Sequence, residues 1–359
     1  MPINHPSYEK LEKIFQNSPE LDIDEKDRIV IFSDFHLGGR KKRDDFLHNS
    51  KMFSTILEQY YYKKDFKLIL NGDIEDLQRV SLPTIYKKWS DLYRQFGKFR
   101  DRGDLYKIIG NHDWELMILK NTINFNKDDI NFDILPSLKL NFKENTLFIL
   151  HGHQASSYHG FKNTLIGLAL RYLAHPLMIK NIKRPYTNIK KLKAEEKIYD
   201  FSKDKKIISL VGHTHRALFE GLSEADYLKY NIEQRIRKYL DSNDLERKKL
   251  ESSIKILADA LKILLENRDH YDSFNSIYDH MIIPCLFNSG CVIDKKGINC
   301  LEIENGNIAL VTWYDEENNK SNITYNPITH INLDNSHYSR VKLKKDSLDY
   351  IFTRINLLS

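Results

Sequence analysis

A chain of 359 residues with 41% hydrophobic and 29% charged residues can bury a sizeable core, and no run of eighteen apolar residues offers a membrane-spanning helix. The N-terminus, MPINHPSYEK, lacks the apolar core of a secretory signal, so the expected compartment is the cytoplasm. Cys285, Cys291 and Cys300 are an odd number with no C-x-x-C spacing, which excludes a disulfide framework and a thiolate zinc site and leaves buried thiols.

Residues 8–17 read as a short leading helix. Arg28 to Ser33 (RIVIFS) is a compact β-branched run that reads as a buried strand ending at Asp34. Residues 44–61 read as helix. Lys67 to Leu70 (KLIL) is a second buried strand, ending at Asn71-Gly72-Asp73. Residues 84–101 read as helix again, and Leu105 to Ile109 (LYKII) as a third strand, ending at Gly110-Asn111-His112-Asp113. Alternation of this kind predicts βαβ units with parallel strands. Strands follow at 137–142 and 146–150, the second ending at His151-Gly152-His153. Ile207 to Val211 is another, ending at Gly212-His213-Thr214-His215. Met281 to Phe287, Asn299 to Ile303 and Ala309 to Trp313 read as the last strands, with a closing helix near 345–357.

Two segments interrupt the scheme. Residues 154–204 separate two strands and carry most of a basic window. Between Met178 and Lys206, ten Lys or Arg stand against Glu195, Glu196, Asp200 and Asp204. That window holds +6 in a chain whose net charge is +5. It suits either an anionic partner or a solvated helix face. Residues 222–269 have no strand character. Leu228, Ile232, Ile236 and Leu240 repeat at four-residue steps, and Leu250, Ile254, Leu257, Leu261 and Leu264 at steps of four and three. Asp241 to Asp244 is a turn signal between them, and Ser223 with Asp226 fits a capping box. This reads as an antiparallel helical hairpin packed through one stripe.

Five clusters of metal-ligand types each lie just past a predicted strand. They are Asp34-Phe35-His36, Gly72-Asp73-Ile74-Glu75-Asp76, Gly110-Asn111-His112-Asp113, His151-Gly152-His153 and Gly212-His213-Thr214-His215. Each alone is weak, because Asp, Asn and Gly also serve turns and H-x-H recurs by chance. Five in order at strand ends converge on one place in an open α/β sheet. Imidazole, carboxylate and amide oxygen without thiolate fit Mn, Fe or Zn. Arg40 to Arg43 read as phosphate contacts or as a solvated loop. His48, His159, His175, His270, His280, His330 and His337 have no motif context.

The order D-x-H, G-D-x-x-D, G-N-H-D, H-G-H, G-H-T-H resembles the calcineurin-like metallophosphoesterase superfamily over residues 28–216, and the Asn288-Ser289-Gly290-Cys291 turn with Trp313 resembles its closing strands. The resemblance implies a double β-sandwich flanked by helices. The domains expected are a lead helix over 1–27, a phosphoesterase domain over 28–221 and 280–359 with a cap insertion at 154–204, and a helical hairpin insertion at 222–279. It implies a hydrolase with two divalent cations, Mn2+ foremost and Fe or Zn as alternatives. Asp34, His36, Asp73 and His215 would hold one ion, and Asp73, Asn111, His151 and His213 the other. Asp73 and a hydroxide would bridge them, and the hydroxide would attack phosphorus. His112 would protonate the leaving oxygen with Asp76 orienting its ring. His153 would serve as an outer-sphere histidine.

The apolar stretch Leu165 to Ile179 followed by basic residues suits an anionic lipid or a nucleic acid. The cap's position and Gly212 to Arg216 resemble UDP-diacylglucosamine diphosphatases. His112 and His153 depart from that pattern, where arginine and aspartate would stand. A nuclease and a nucleotide phosphodiesterase are alternatives of the same chemistry. A protein phosphatase is disfavoured by Leu77-Gln78, where that family carries Arg-Gly. A scaffold that had lost activity would lack ligands, and all seven residues are present with His112. The hairpin suits contact between subunits.

Overall fold

The computed structural model describes residues 6–119, 133–156, 189–220, 244–266, 283–317 and 329–359, with residues 232, 235, 236, 239, 240 and 242 between. Two sheets form its frame, as the double sandwich requires. The larger one has the order β13-β14-β12-β11-β2-β3-β4-β5. Its strands are β2 (Arg28–Phe32), β3 (Lys67–Asn71), β4 (Leu105–Ile108), β5 (Ile134–Leu135), β11 (Ile298–Glu304), β12 (Asn307–Asp315), β13 (Thr329–Asn332) and β14 (Tyr338–Ser347). The smaller has the order β1-β6-β7-β8-β10-β9. It comprises β1 (Glu20–Ile23), β6 (Leu138–Phe142), β7 (Asn145–Ile149), β8 (Ile208–Val211), β9 (Ala217–Leu218) and β10 (Leu286–Ser289).

β2 pairs parallel with β3, and β3 with β4. In the second sheet β7 pairs parallel with β8, and β8 with β10. A parallel neighbour demands a crossover, and helices supply it. After the leading helix α1 (Pro6–Gln16), helix α2 (Ser50–Ile56) runs on as a π-helical turn, Leu57–Tyr62, between β2 and β3. α3 (Leu82–Lys88) and α4 (Ser90–Asp101) cross from β3 to β4. Side chains alternate along the strands, so Val30 and Phe32 meet the helical layer of Phe53, Ile56, Phe96 and Phe99, while Ile29 and Ile31 are buried on the opposite face. The crossovers bring the carboxyl ends of β2, β3, β4, β7, β8 and β10 to one edge, where the motifs lie.

The helix read at 44–61 starts only at Ser50. The Asp44 carboxylate accepts from the amides of Gly38, Arg40 and Phe46, which holds the preceding segment as a loop. The helix read at 84–101 breaks at Trp89, whose indole donates to the Gly38 carbonyl. Arg40 lies over Trp89 and pairs with Asp91, bracing this corner. β1, β13 and β14 are polar or short and carry little periodic signal. β14 occupies residues read as the start of the closing helix, and α8 (Leu348–Leu358) begins where Ser347 caps it by accepting from the Tyr350 amide at 3.1 Å.

The segment read as a cap over 154–204 is helical in its described second half. α6 (Ile189–Lys205) buries Ala194, Ile198, Tyr199 and Phe201. It lies in the crossover between β7 and β8, and Lys193 and Lys203 are exposed on it. The physical reason is topological: two parallel strands need a helix packed on their sheet. The apolar stretch at 165–179 lies outside the described residues, as do His159, His175, His270 and His280.

The chain divides into two compact units, one holding residues 1–219 with Cys285–Ser359 and the other Glu220–Pro284. In the second unit α7 (Asp244–Glu266) runs antiparallel to the preceding segment at two points: Arg235 bonds Ser253 and Tyr239 bonds Glu251. The capping box at Ser223 and Asp226 lies outside the described residues. Helix α5 (Leu116–Leu119) is a single turn after the third motif. No helix among the described residues is long and apolar enough to cross a membrane.

Candidate metal centre

Each motif leaves its strand by turning sharply, and the backbone shows the strain. Asp34, His36, Asp73, His213 and His215 all have positive φ, between 51° and 69°. That region costs a residue with a Cβ about 1–2 kcal/mol, and such residues gather at functional sites. Backbone bonds lock the first two turns together: the amides of Phe35 and His36 both donate to the Asp73 carbonyl, at 2.9 and 3.0 Å. Gly110 stands where no side chain fits, since a Cβ would lie 2.2 Å from the Asp73 amide nitrogen and Oδ1.

Asp34, His36 and His215 form one group of convergent ligand atoms, and Asp73, His151 and His213 another. The two meet through their carboxylates. Asp73 Oδ2 lies 3.2 Å from His151 Nε2 and 3.9 Å from His36 Nε2. Asp34 Oδ1 lies 3.1 Å from His215 Nε2, 3.9 Å from His36 Nε2 and 4.0 Å from His151 Nε2. Asn111 contributes a buried side-chain oxygen on the same loop as His112.

A divalent cation fits this donor set. Asp34 Oδ1, Asp73 Oδ2, Asn111 Oδ1 and His151 Nε2 are buried and make no hydrogen bond. Buried polar atoms without partners are rare and call for an ion or a water. His151 Nδ1 donates to the Asn71 carbonyl at 2.8 Å, which in the neutral ring leaves Nε2 as a lone pair facing carboxylates. Without a cation that arrangement repels. Burial works against a proton on His151, but Asp73 and Asp34 outweigh it and hold the ring up to about 9. Burial, with the charges of His112 and His215, pushes His36 down to about 3. Burial opposes ionisation of Asp73, yet His151, His112 and His36 hold it well below its ordinary value.

The outer residues are arranged around these groups. His112 Nδ1 lies 3.1 Å from Asp76 Oδ1, and its ring stands edge-on to His36 with centroids 4.5 Å apart. Burial raises Asp76, but the His112 bond and charge and Arg79 bring it below its ordinary value. His153 is buried, its ring 5.5 Å from that of His151 and 6.5 Å from that of Trp114. A further grouping of Asp315, Glu317 and His337 lies at the far end of β12, where each ring nitrogen faces a different carboxylate at 3.7 Å.

Several supporting residues escaped the sequence reading. Asp113 accepts from the amides of Gly110 at 2.6 Å and Ile74 at 2.7 Å, tying the second and third turns. Glu75 is buried against Lys107 and the Tyr93 hydroxyl, each at 2.5 Å, beneath those turns. Ser33 donates to Asp34 Oδ2 at 2.6 Å. Glu195, counted only as a charge in the basic window, and Asn288 reach the fifth turn from α6 and β10. Asp113 and Glu75 sat inside the motifs, and Asn288 in the turn that resembled the closing strands, so they could have been found there; Glu195 carried no local signal.

The sequence model of the calcineurin-like phosphoesterase family matches residues 27–217, more than half of the chain. The chain belongs to the calcineurin-like phosphoesterases. The match spans all five motifs of this phosphoesterase. Among solved structures it is similar to a predicted phosphoesterase from Streptococcus pneumoniae TIGR4, at 12% identity with a TM-score of 0.29, covering 80% of this chain and 89% of that one. It is also similar to a Vps29 variant from Entamoeba histolytica, at 8% identity with a TM-score of 0.31, covering 88% and 99%. No curated protein matches the chain by sequence.

Proposed function

We propose that this phosphoesterase is a hydrolase of phosphoric esters or anhydrides that works with two divalent cations, Mn2+ foremost. Asp34, His36, Asp73 and His215 would hold one, and Asp73, Asn111, His151 and His213 the other. The observation that carries this reading is the buried meeting of carboxylate oxygens and imidazole nitrogens within 3.1–4.0 Å of one another, with four of the ligand atoms making no hydrogen bond. When bound, such ions supply Lewis acidity for the phosphoryl oxygens and lower the pKa of water toward neutrality.

The chain's own groups do the rest. Asp73 Oδ1 accepts from the His112 amide at 2.8 Å, so the carboxylate is fixed with Oδ2 toward both clusters. Asp76 receives His112 Nδ1–H and turns Nε2 outward, the atom from which a proton passes to the leaving oxygen. His112 keeps a side-chain exposure of 23%.

The substrate class is tested with a phosphomonoester, phosphodiester and pyrophosphate panel in added Mn2+. Hydrolysis of a member, abolished by chelation and restored by Mn2+, is expected; equal turnover in the metal-free protein would overturn the mechanism, and inertness towards all members would favour a binding role. An anionic lipid or nucleic acid would meet the lysines of α6. Three buried free thiols support a reducing compartment, hence the cytoplasm.

A further inference from the structure

His213 and His215 leave the chain one residue apart, and each belongs to a different ligand group. Both hold left-handed backbone, with φ of 69° and 63°, a shape that a residue bearing a Cβ does not keep unaided. The residue between them is anchored. Thr214 Oγ1 donates to Glu195 Oε1 at 2.6 Å. The same oxygen accepts from Asn288 Nδ2 at 2.8 Å. That amide nitrogen also lies 2.9 Å from the Gly212 carbonyl and from Thr214 Oγ1, and Asn288 Oδ1 accepts from the Gly290 amide at 2.9 Å. Glu195, Thr214 and Asn288 are 2%, 2% and 0% exposed, so these bonds do not compete with water. Both donors converge on the one oxygen Glu195 Oε1, so the anchor is held by that acceptor.

We propose that Glu195 is the positioning residue of the metal centre: from the crossover helix α6 it pins Thr214 and Asn288, and through them sets His213 and His215 together. It belongs to neither ligand group, so it acts through the loop. Because the two imidazoles serve different groups, loosening this anchor degrades both halves of the centre at once. The proposal rests on the metal-centre reading above, and it gives α6 a role in the site that its lysines do not suggest.

The test compares Glu195→Ala, Glu195→Gln and Ser202→Ala in the full chain. Ser202 is buried on the same helix, bonded to the Ile198 carbonyl and Ser209 Oγ, each at 2.7 Å, away from the loop. Mn2+ binding is read by electron paramagnetic resonance, and deuterium uptake of the 207–219 peptide is read on metal-free protein. Glu195→Ala is expected to weaken Mn2+ binding by roughly tenfold or more and to speed exchange at His213–Arg216. Glu195→Gln keeps an acceptor oxygen for both donors and should stay within about threefold of wild type. Ser202→Ala should cost stability and leave both readouts unchanged. A folded Glu195→Ala with wild-type exchange would overturn the anchor, as would an equal loss in Ser202→Ala. The exchange arm needs no metal. A wild-type chain that binds no Mn2+ would therefore overturn the functional reading, while the anchor would still stand or fall on exchange.

Discussion

The backbone amide of His112 donates to Asp73 Oδ1, so two residues with different expected work share one contact. Asp73 points its other oxygen at both ligand groups. His112 points its ring at Asp76 and the solvent side. Asp73→Ala should therefore lose bound Mn2+ measured by elemental analysis. His112→Ala should keep the metal and slow turnover by roughly 10²-fold or more, the loss expected of a general acid. If His112→Ala sheds metal and keeps its rate per bound ion, the two roles are reversed. A second expectation concerns the metal-free chain. His151 is held up to about 9, above its ordinary 6.5, so its contribution to stability is full below about pH 6.5 and is lost as pH rises through about 9. Asp73 is held low, so its contribution is present above its ordinary range and lost as acid protonates it. Melting temperatures of chelated protein should fall between pH 6.5 and 9, and Mn2+ should flatten the fall. A pH-independent melting point in the chelated protein would remove this account of the cluster's charge balance.

At the level of the element, the site is a set of strand ends pressed together more tightly than side chains allow. A Cβ at Gly212 would lie 2.5 Å from Ser33 Oγ, as one at Gly110 would crowd Asp73. Gly110→Ala should push the Asp73 carboxylate out of place and cost about 1–3 kcal/mol of stability, as overpacking does. Thermal denaturation with and without Mn2+ reads both effects: a lower melting point and a smaller Mn2+-induced rise. A variant with an undiminished Mn2+ shift would show that the turn has room to relax. The strands themselves were legible because each is a short β-branched run broken by Gly, Asn or Asp. β14 was not, because Lys342, Lys344 and Lys345 make it read as polar, and only pairing with β12 and β13 makes it a strand. α6 hid for a related reason: its lysines outweigh Ile198 and Phe201 in composition, although those two are fully buried.

On the scale of the molecule, the unit Glu220–Pro284 enters and leaves the phosphoesterase unit between β9 and β10. Those strands are hydrogen-bonded neighbours, with Leu218 opposite Asn288, so the two ends of the insertion are already brought together. Loop closure depends only weakly on length. Replacing 222–279 with a short Gly-Ser loop should leave turnover of a small generic phosphodiester within a few-fold of wild type. Sedimentation would show whether the hairpin joins subunits. A folded deletion that binds Mn2+ and hydrolyses nothing would instead make the hairpin part of the active site.

Taken by itself, the sequence determined the residue types at each strand end, their order and the family they resemble, because these are local: a strand, a turn and a ligand lie within ten residues of one another. The tertiary structure decided how those ends meet. It set the 3.1–4.0 Å distances among Asp34, Asp73 and the histidines, and the tie of Asp113 between two turns. It also brought Glu195 and Asn288, 93 residues apart, onto one threonine. A buried hydrogen bond between distant segments leaves no period and no motif in either. It exists only once parallel pairing has carried a crossover helix and a later strand to the same edge of the sheet.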